Sequence, residues 1–121
     1  MVRDHTSLKA WQAAHAVNVG VIRLARTAWK PYASALFTQL QRSSLSVQLN
    51  IAEGYSFGNS PTYTRHIGIA YGSAVETAEI LKLGLETGVL PVDQARGILE
   101  HADHARHLLL GLLKYRRKFH A

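Results

Sequence analysis

The densest group of side chains able to do chemistry in this sequence is Glu100-His101-Ala102-Asp103-His104-Ala105-Arg106-His107. On a helix, Glu100, His104 and His107 stand at i, i+4 and i+7 and share one face, where a carboxylate and two imidazoles could take up zinc or nickel. A metal-dependent enzyme built on these helix-four histidines is therefore one functional reading. The plainer reading makes them the polar face opposite an Ala102, Ala105 and Leu109 stripe, with Asp103 and His107 paired across one turn. It is preferred here, because bundle metal sites with a clear signature draw a Glu-x-x-His pair from each of two helices, and only one helix is rich in ligands. The sequence thus assigns no metal, no cofactor and no catalytic residue.

A second group, Ser46, Asn50, Glu53 and Gly54 running into Tyr55, places an amide and a carboxylate near the end of a helix. Acid-base or hydrolytic work there would need a second carboxylate or a nucleophile with a histidine partner, and neither is visible nearby. Asn50 and Glu53 are accordingly read as structural, bonding a neighbouring helix or its cap. Gly72-Ser73 lacks the flanking glycines of a phosphate loop or nucleophile elbow and reads as close packing, with Gly72, Ser73 and Ala74 admitting another backbone. The terminal run Lys114-Tyr115-Arg116-Arg117-Lys118-Phe119 combines charge with two aromatics. It could grip RNA phosphates and stack a base, or simply complement the negative pole of a helix end.

The elements that must hold these groups are helices. Leu8, Trp11, His15, Asn18, Ile22, Ala25 and Trp29 keep a three-four spacing, flanked by Ala14, Val17, Val21 and Leu24, after a cap at Thr6 or Ser7 and before Lys30-Pro31. A second run places Leu36, Leu40, Ser44, Val47 and Ile51 on one stripe, with Gly54 as its expected terminator. Ser60-Pro61 opens a third, carrying Tyr63, Ile67, Ala70, Ala74, Ala78, Leu81 and Leu85 and stopping at Thr87-Gly88. A fourth follows Leu90-Pro91 with Ala95, Ile98, Ala102, Ala105, Leu109 and Leu112 in heptad spacing. The spacing predicts helices over about 7–29, 32–54, 61–87 and 92–118, each about 33 to 40 Å long at about 1.5 Å per residue. Connections this short make sequential neighbours antiparallel, so the expected fold is all-α: one domain, 1–121, an up-down-up-down four-helix bundle with Trp11, Leu40, Ile51, Ile67, Ala70, Ile98 and Leu109 in one core. Second apolar arcs on the first and fourth helices point to an interface between subunits.

Composition narrows the partners. With no cysteine, disulfides, thiolate zinc sites and cysteine nucleophiles are excluded, and a reducing cytoplasm fits. The start, MVRDHTSLKAW, has no apolar region of signal-peptide length, and no apolar run approaches the ~18 residues of a membrane span, so neither export by that route nor a membrane role is expected. The formal charge is +6, with Arg3, Lys9, Arg23, Arg26, Lys30 and Arg42 facing only Asp4 before residue 50. Glu76, Glu79, Glu86, Asp93, Glu100 and Asp103 lie later. A polyanionic partner is favoured by that balance, and no small-molecule substrate is evident.

Gln39 to Tyr55, most specifically Asn50-Ile51-Ala52-Glu53-Gly54, resembles the four-helix-bundle proteins encoded by intervening sequences within large-subunit ribosomal RNA genes. Leu8, Trp11, Gln12 and His15 extend the likeness, as do Tyr63, Arg65, Ile69, Ala70, Gly72, Ser73 and Glu76, and then Leu81 and Gly88-Val89-Leu90. The resemblance implies a left-handed bundle assembled as a homopentamer, related to the accessory protein of diversity-generating retroelements, which binds a reverse transcriptase and nucleic acid. It brings no catalytic residue or cofactor. The sequence departs from that pattern at Gln48, where proline is common, and at Tyr55-Ser56-Phe57, where glycine and arginine are common. Together these readings lead to a non-enzymatic, cytoplasmic, homo-oligomeric scaffold or adaptor with non-specific RNA contact.

Overall fold

Each break in the apolar periodicity becomes a helix boundary in the computed structural model, which describes residues 4–120; residues 1–3 and 121, Arg3 among them, lie outside the described residues. The helices are α1 (Lys9–Ala28), α2 (Ser34–Tyr55), α3 (Pro61–Glu86) and α4 (Val92–Phe119), with 3-10 turns at His5–Ser7 and Pro31–Ala33. No strand occurs among the described residues. α1 packs on α2 and α4, α3 packs on the same two, and the diagonal pairs stay apart. Short connections make each neighbour antiparallel, which gives the up-down-up-down bundle.

The ends of the helices show which local signals were read correctly. Ser60 accepts from the Tyr63 N–H at 3.3 Å and Pro61 fills the first helical position, as expected. Gly88 takes the left-handed conformation, φ 74°, just beyond α3, and Leu90 folds back so that its N–H bonds the Gly84 carbonyl at 3.0 Å. Two expectations fail. The cap before α1 is not Thr6 or Ser7: Asp4 caps the preceding 3-10 turn, and the residue at the start of α1, Leu8, has no side-chain bond to offer. The Thr6 hydroxyl and N–H hold the Asp4 carboxyl below the ordinary carboxylate pKa. Gly54 does not terminate α2 either, since the helix runs through it to Tyr55 and the left-handed residue is Gly58, φ 66°.

The core divides into two apolar halves. Toward the α1–α2 turn, Val21, Leu24, Phe37, Leu40, Leu81, Leu90 and Ile98 pack together; toward the opposite end, Ile51, Tyr63, Ile67, Ala70, Leu109 and Leu113 do so. Between them, six small side chains, Ala14, Ser44, Ala74, Thr77, Ala102 and Ala105, together with Val17 and Val47 line a cavity of about 10 Å³, about the size that admits one water. On α1 the buried arc is Ala10, Ala13, Ala14, Val17, Asn18, Val21 and Leu24 rather than the Trp11 arc. Trp11 is only half-buried and stacks on His15 at 4.9 Å, because alanines let α1 approach its neighbours more closely than an indole permits.

Ile51 and Leu109 are each 0% exposed, so Ile51→Ala or Leu109→Ala is expected to cost about 2 to 5 kcal/mol in urea unfolding, the loss of buried methylenes plus the cavity left behind. A cost below about half a kcal/mol, the range of surface positions, would remove them from the core.

Candidate functional site

The Asn50 motif is built at the seam between α2 and α3. A Cβ on Gly54 would lie 2.6 Å from the His66 Cβ, so glycine at that position is what lets the two helices close at this end. Close approach then brings small polar groups within bonding distance. Asn50 Nδ2 donates to the Ser46 carbonyl at 2.9 Å and lies 3.1 Å from its Oγ, which leaves Asn50 Oδ1 to accept from His66 Nδ1 at 2.8 Å. Ser46 and Ser73 share a hydroxyl bond of 2.8 Å, and Thr77 donates to Ser43 at 2.8 Å one turn further. Phe57 stacks on the His66 ring at 5.8 Å. A hydroxyl, an amide and an imidazole therefore stand close together, but each is bonded across the seam as part of the scaffold.

Within the motif the residues divide by role. Ile51 is core, Ala52 is half-buried and Ser73 bonds Ser46. Glu53 and Glu76 are exposed. The Glu53 carboxylate makes no hydrogen bond or ion pair among the described residues, so its expected bond to a neighbouring helix is not formed. Gly72 points outward, and a Cβ there would meet nothing within 4 Å, so the close packing expected of it is not supplied inside the chain. His66, Ser43 and Thr77 were not singled out in the sequence. His66 lies one residue from Ile67 on the buried side of α3, a position where a polar side chain must find a partner.

The basic run at the end of α4 separates in the same way. Lys114, Tyr115, Arg117, Lys118 and Phe119 are exposed, with Tyr115 and Phe119 5.0 Å apart. Arg116 is 3% exposed and is not available to RNA. Its Nε donates to Thr64 Oγ1 at 3.0 Å, Nη1 to Asn59 Oδ1 at 2.9 Å and Nη2 to the Ser60 carbonyl at 3.2 Å, while its guanidinium sits 4.2 Å from the Tyr63 ring centre. Arg116 continues the Leu109 and Leu113 stripe at i+7 and i+3, and thereby clamps the α2–α3 connection to α4.

The helix-four histidines do not assemble a metal centre among the described residues, where no three His, Asp or Glu side chains converge. His107 Nδ1 bonds the Asp103 carbonyl at 2.8 Å, while the Asp103 carboxylate pairs with Arg106 at 3.4 Å, so the expected Asp103 to His107 pair runs through the backbone instead. His101 and His104 are exposed on the side facing α1, beside Lys9 and Gln12. No helix among the described residues is long and apolar enough to cross a membrane.

The topology and its polar seam between α2 and α3 define an antiparallel four-helix-bundle protein. The model of the 23S rRNA-intervening sequence protein family matches residues 6–111, and the chain belongs to that family. Among solved structures it is similar to a protein of unknown function from the S23 ribosomal protein family of Bacteroides thetaiotaomicron, with 21% identity over 84% of this chain and 98% of that one and a TM-score of 0.61, a likeness of fold. Neither description names an enzymatic activity. No curated protein matches the chain.

Two substitutions separate the structural from the solvent-facing members of the site. Asn50→Ala strands the His66 N–H and should lower stability by about 1 to 3 kcal/mol, whereas Glu53→Ala should stay within about half a kcal/mol. Equal melting temperatures for the two variants would contradict this division. Arg116→Ala should cost about 2 kcal/mol or more, since three acceptors and an aromatic face lose their partner at once. Arg117→Ala provides the comparison, and a loss there as large as at Arg116 would show that the cluster acts as one surface.

Proposed function

We propose that this protein is a non-enzymatic, homo-oligomeric scaffold or adaptor of the cytoplasm that contacts nucleic acid non-specifically. The observation that carries the reading is that large apolar side chains remain outside a bundle whose core is already filled. Ile22, Leu45, Leu49, Ile69 and Leu83 are between 41% and 60% exposed on the helix surfaces. A solvent-facing apolar set of this extent is what a subunit contact covers. The polar groups of the Asn50 seam are already bonded to one another, which suits a structural role better than a catalytic one.

Nucleic-acid contact rests on where the positive charge collects. At the end where α1 and α3 begin and α2 and α4 finish, Lys9, Arg65, Lys114, Arg117 and Lys118 are exposed against Asp4 and Glu53. Toward the other end, Arg23, Arg26, Lys30, Arg42, Lys82 and Arg96 are nearly balanced by Glu76, Glu79, Glu86, Asp93 and Glu100. The family resemblance suggests five copies, which at +6 each would carry about +30 in total and concentrate a polyanion even where each site is weak.

Sedimentation equilibrium should give a mass that is a multiple of 13.4 kDa. Titration of single-stranded RNA should show binding that weakens steeply between low and moderate salt. A Lys114→Ala, Arg117→Ala, Lys118→Ala variant, which spares buried Arg116, should bind at least about tenfold more weakly and lose part of the salt dependence. Absence of wild-type binding at low salt would eliminate the nucleic-acid contact, and unchanged binding by the variant would move it away from α4.

A further inference from the structure

Glu76 makes no ion pair or hydrogen bond among the described residues, yet it lines the same groove as a guanidinium. The groove, about 150 Å³ between α2 and α3, is formed by Gln39, Arg42, Ser43, Ser46, Ser73 and Glu76. Pockets for drug-sized ligands run from about 300 to 1,000 Å³, so this one suits a much smaller molecule. All six lining residues are polar. Ser43 is buried, Ser46 and Ser73 are half-buried, and Gln39, Arg42 and Glu76 are exposed. The seam serines thus form the floor, and the amide and the two charges form the rim.

The two charges are held apart. Arg42 Nη1 donates to Gln39 Oε1 at 3.3 Å, a neutral acceptor one turn back on its own helix, and forms no ion pair with Glu76. The Ser43–Thr77 bond sets Arg42 and Glu76, each one residue earlier, on opposite rims within about one turn of each other. The serines leave one hydrogen over. Whichever of Ser46 and Ser73 donates, their 2.8 Å bond uses a single hydroxyl hydrogen, and Ser46 Oγ also accepts from Asn50 Nδ2 at 3.1 Å. The second hydroxyl hydrogen has no acceptor among the described residues. The groove therefore offers an anion two donors, Arg42 and a serine hydroxyl, and offers a cation one carboxylate.

We infer that this groove binds a small zwitterion, an α-amino acid with a short side chain. Its carboxylate accepts from the Arg42 guanidinium and from the free serine hydroxyl, and its ammonium donates to Glu76. Simpler ions are disfavoured by one rim or the other: a phosphate or a nucleic-acid strand meets the Glu76 carboxylate, and a lone cation meets Arg42. None of the lining residues is apolar, so a long hydrocarbon side chain gains nothing by entering. Gly72, exposed and next to Ser73, has nothing within 4 Å of where a Cβ would stand, which leaves the α3 rim low for entry. The site needs neither a second copy nor a nucleic acid, and so stands apart from the scaffold reading.

Heteronuclear magnetic resonance spectra of the isotope-labelled full chain test this with L-serine and glycine as probes. Either amino acid should shift the backbone amides of Arg42, Ser46, Ser73 and Glu76 in a saturable way. Glycolate and ethanolamine, which each carry only one of the two charges, should need at least about tenfold higher concentration, the loss of one charge-assisted bond. Arg42→Gln and Glu76→Gln, both at exposed positions, should keep the wild-type melting temperature and each weaken L-serine binding by about tenfold or more. L-Leucine should bind no better than glycine. Absence of these shifts with both L-serine and glycine overturns the site. Equal L-serine binding by Glu76→Gln, or glycolate binding as tight as that of glycine, also overturns it, because the groove would then recognise the anion alone.

Discussion

The structure depends most on how closely α2 and α3 approach. Gly54 sets that distance at one end, and once it is set, Asn50 and His66, Ser46 and Ser73, and Ser43 and Thr77 can bond across the seam. Buried polar groups are costly when left without partners, so a slip of one helical turn would strand all three pairs together. The seam therefore fixes register as well as distance. The apolar halves on either side could tolerate small shifts of one helix along another, because hydrophobic contact has little directionality.

The other helices are fastened to this pair by different means. Arg116 reaches from α4 to the α2–α3 connection, using neutral acceptors and the Tyr63 face instead of a carboxylate. These acceptors replace the water that a buried guanidinium gives up. α1 is held to α2 by Asn18, whose Nδ2 donates to the Ser44 carbonyl at 2.8 Å and to Gln48 Oε1 at 2.8 Å. Asn18 Oδ1 is buried without a hydrogen-bond partner. Gln48 Nε2 adds a bond to His15 Nδ1 at 3.0 Å, so the α1–α2 seam differs from the α2–α3 seam in that one open acceptor, and it is also where Ile22 and Leu45 remain exposed.

Helix number, order and most faces were legible in the sequence because the 3.6-residue period survives whatever the helices pack against. The stripes through Leu40, Val47 and Ile51, through Ile67, Ala70 and Leu81, and through Ile98, Ala102 and Leu109 are all buried. α1 was misread because it is apolar on more than one side, and only the distance to its neighbours decides whether the alanine arc or the Trp11 arc turns inward. Gly54 was misread because glycine serves equally as a stop and as a spacer; the deciding fact is His66 on the next helix. Arg116 could have been separated from Arg117 and Lys118, since extending the Leu109 and Leu113 stripe by one turn places it inside. The hydroxyl pairs were beyond reach, because serine and threonine at packed positions look the same whether they bond across a seam or back to their own helix.

The distribution of charge follows from the topology more than from the sequence order. An antiparallel bundle brings the base-rich first half of the chain alongside the acids of the second, so away from the end where α4 finishes the exposed bases and acids nearly balance. What remains collects at the end where α4 finishes. Helix dipoles oppose one another in neighbouring antiparallel helices, which leaves side chains to set the field at that pole. Assembly about an axis parallel to the helices would place every copy's pole on the same rim, so that charges too sparse on one chain act together. An arrangement of alternating direction would divide them between two rims, and a polyanion would then meet half the charge at either. In an assembly of either kind, the direction in which copies join would also set the strength with which a polyanion is held.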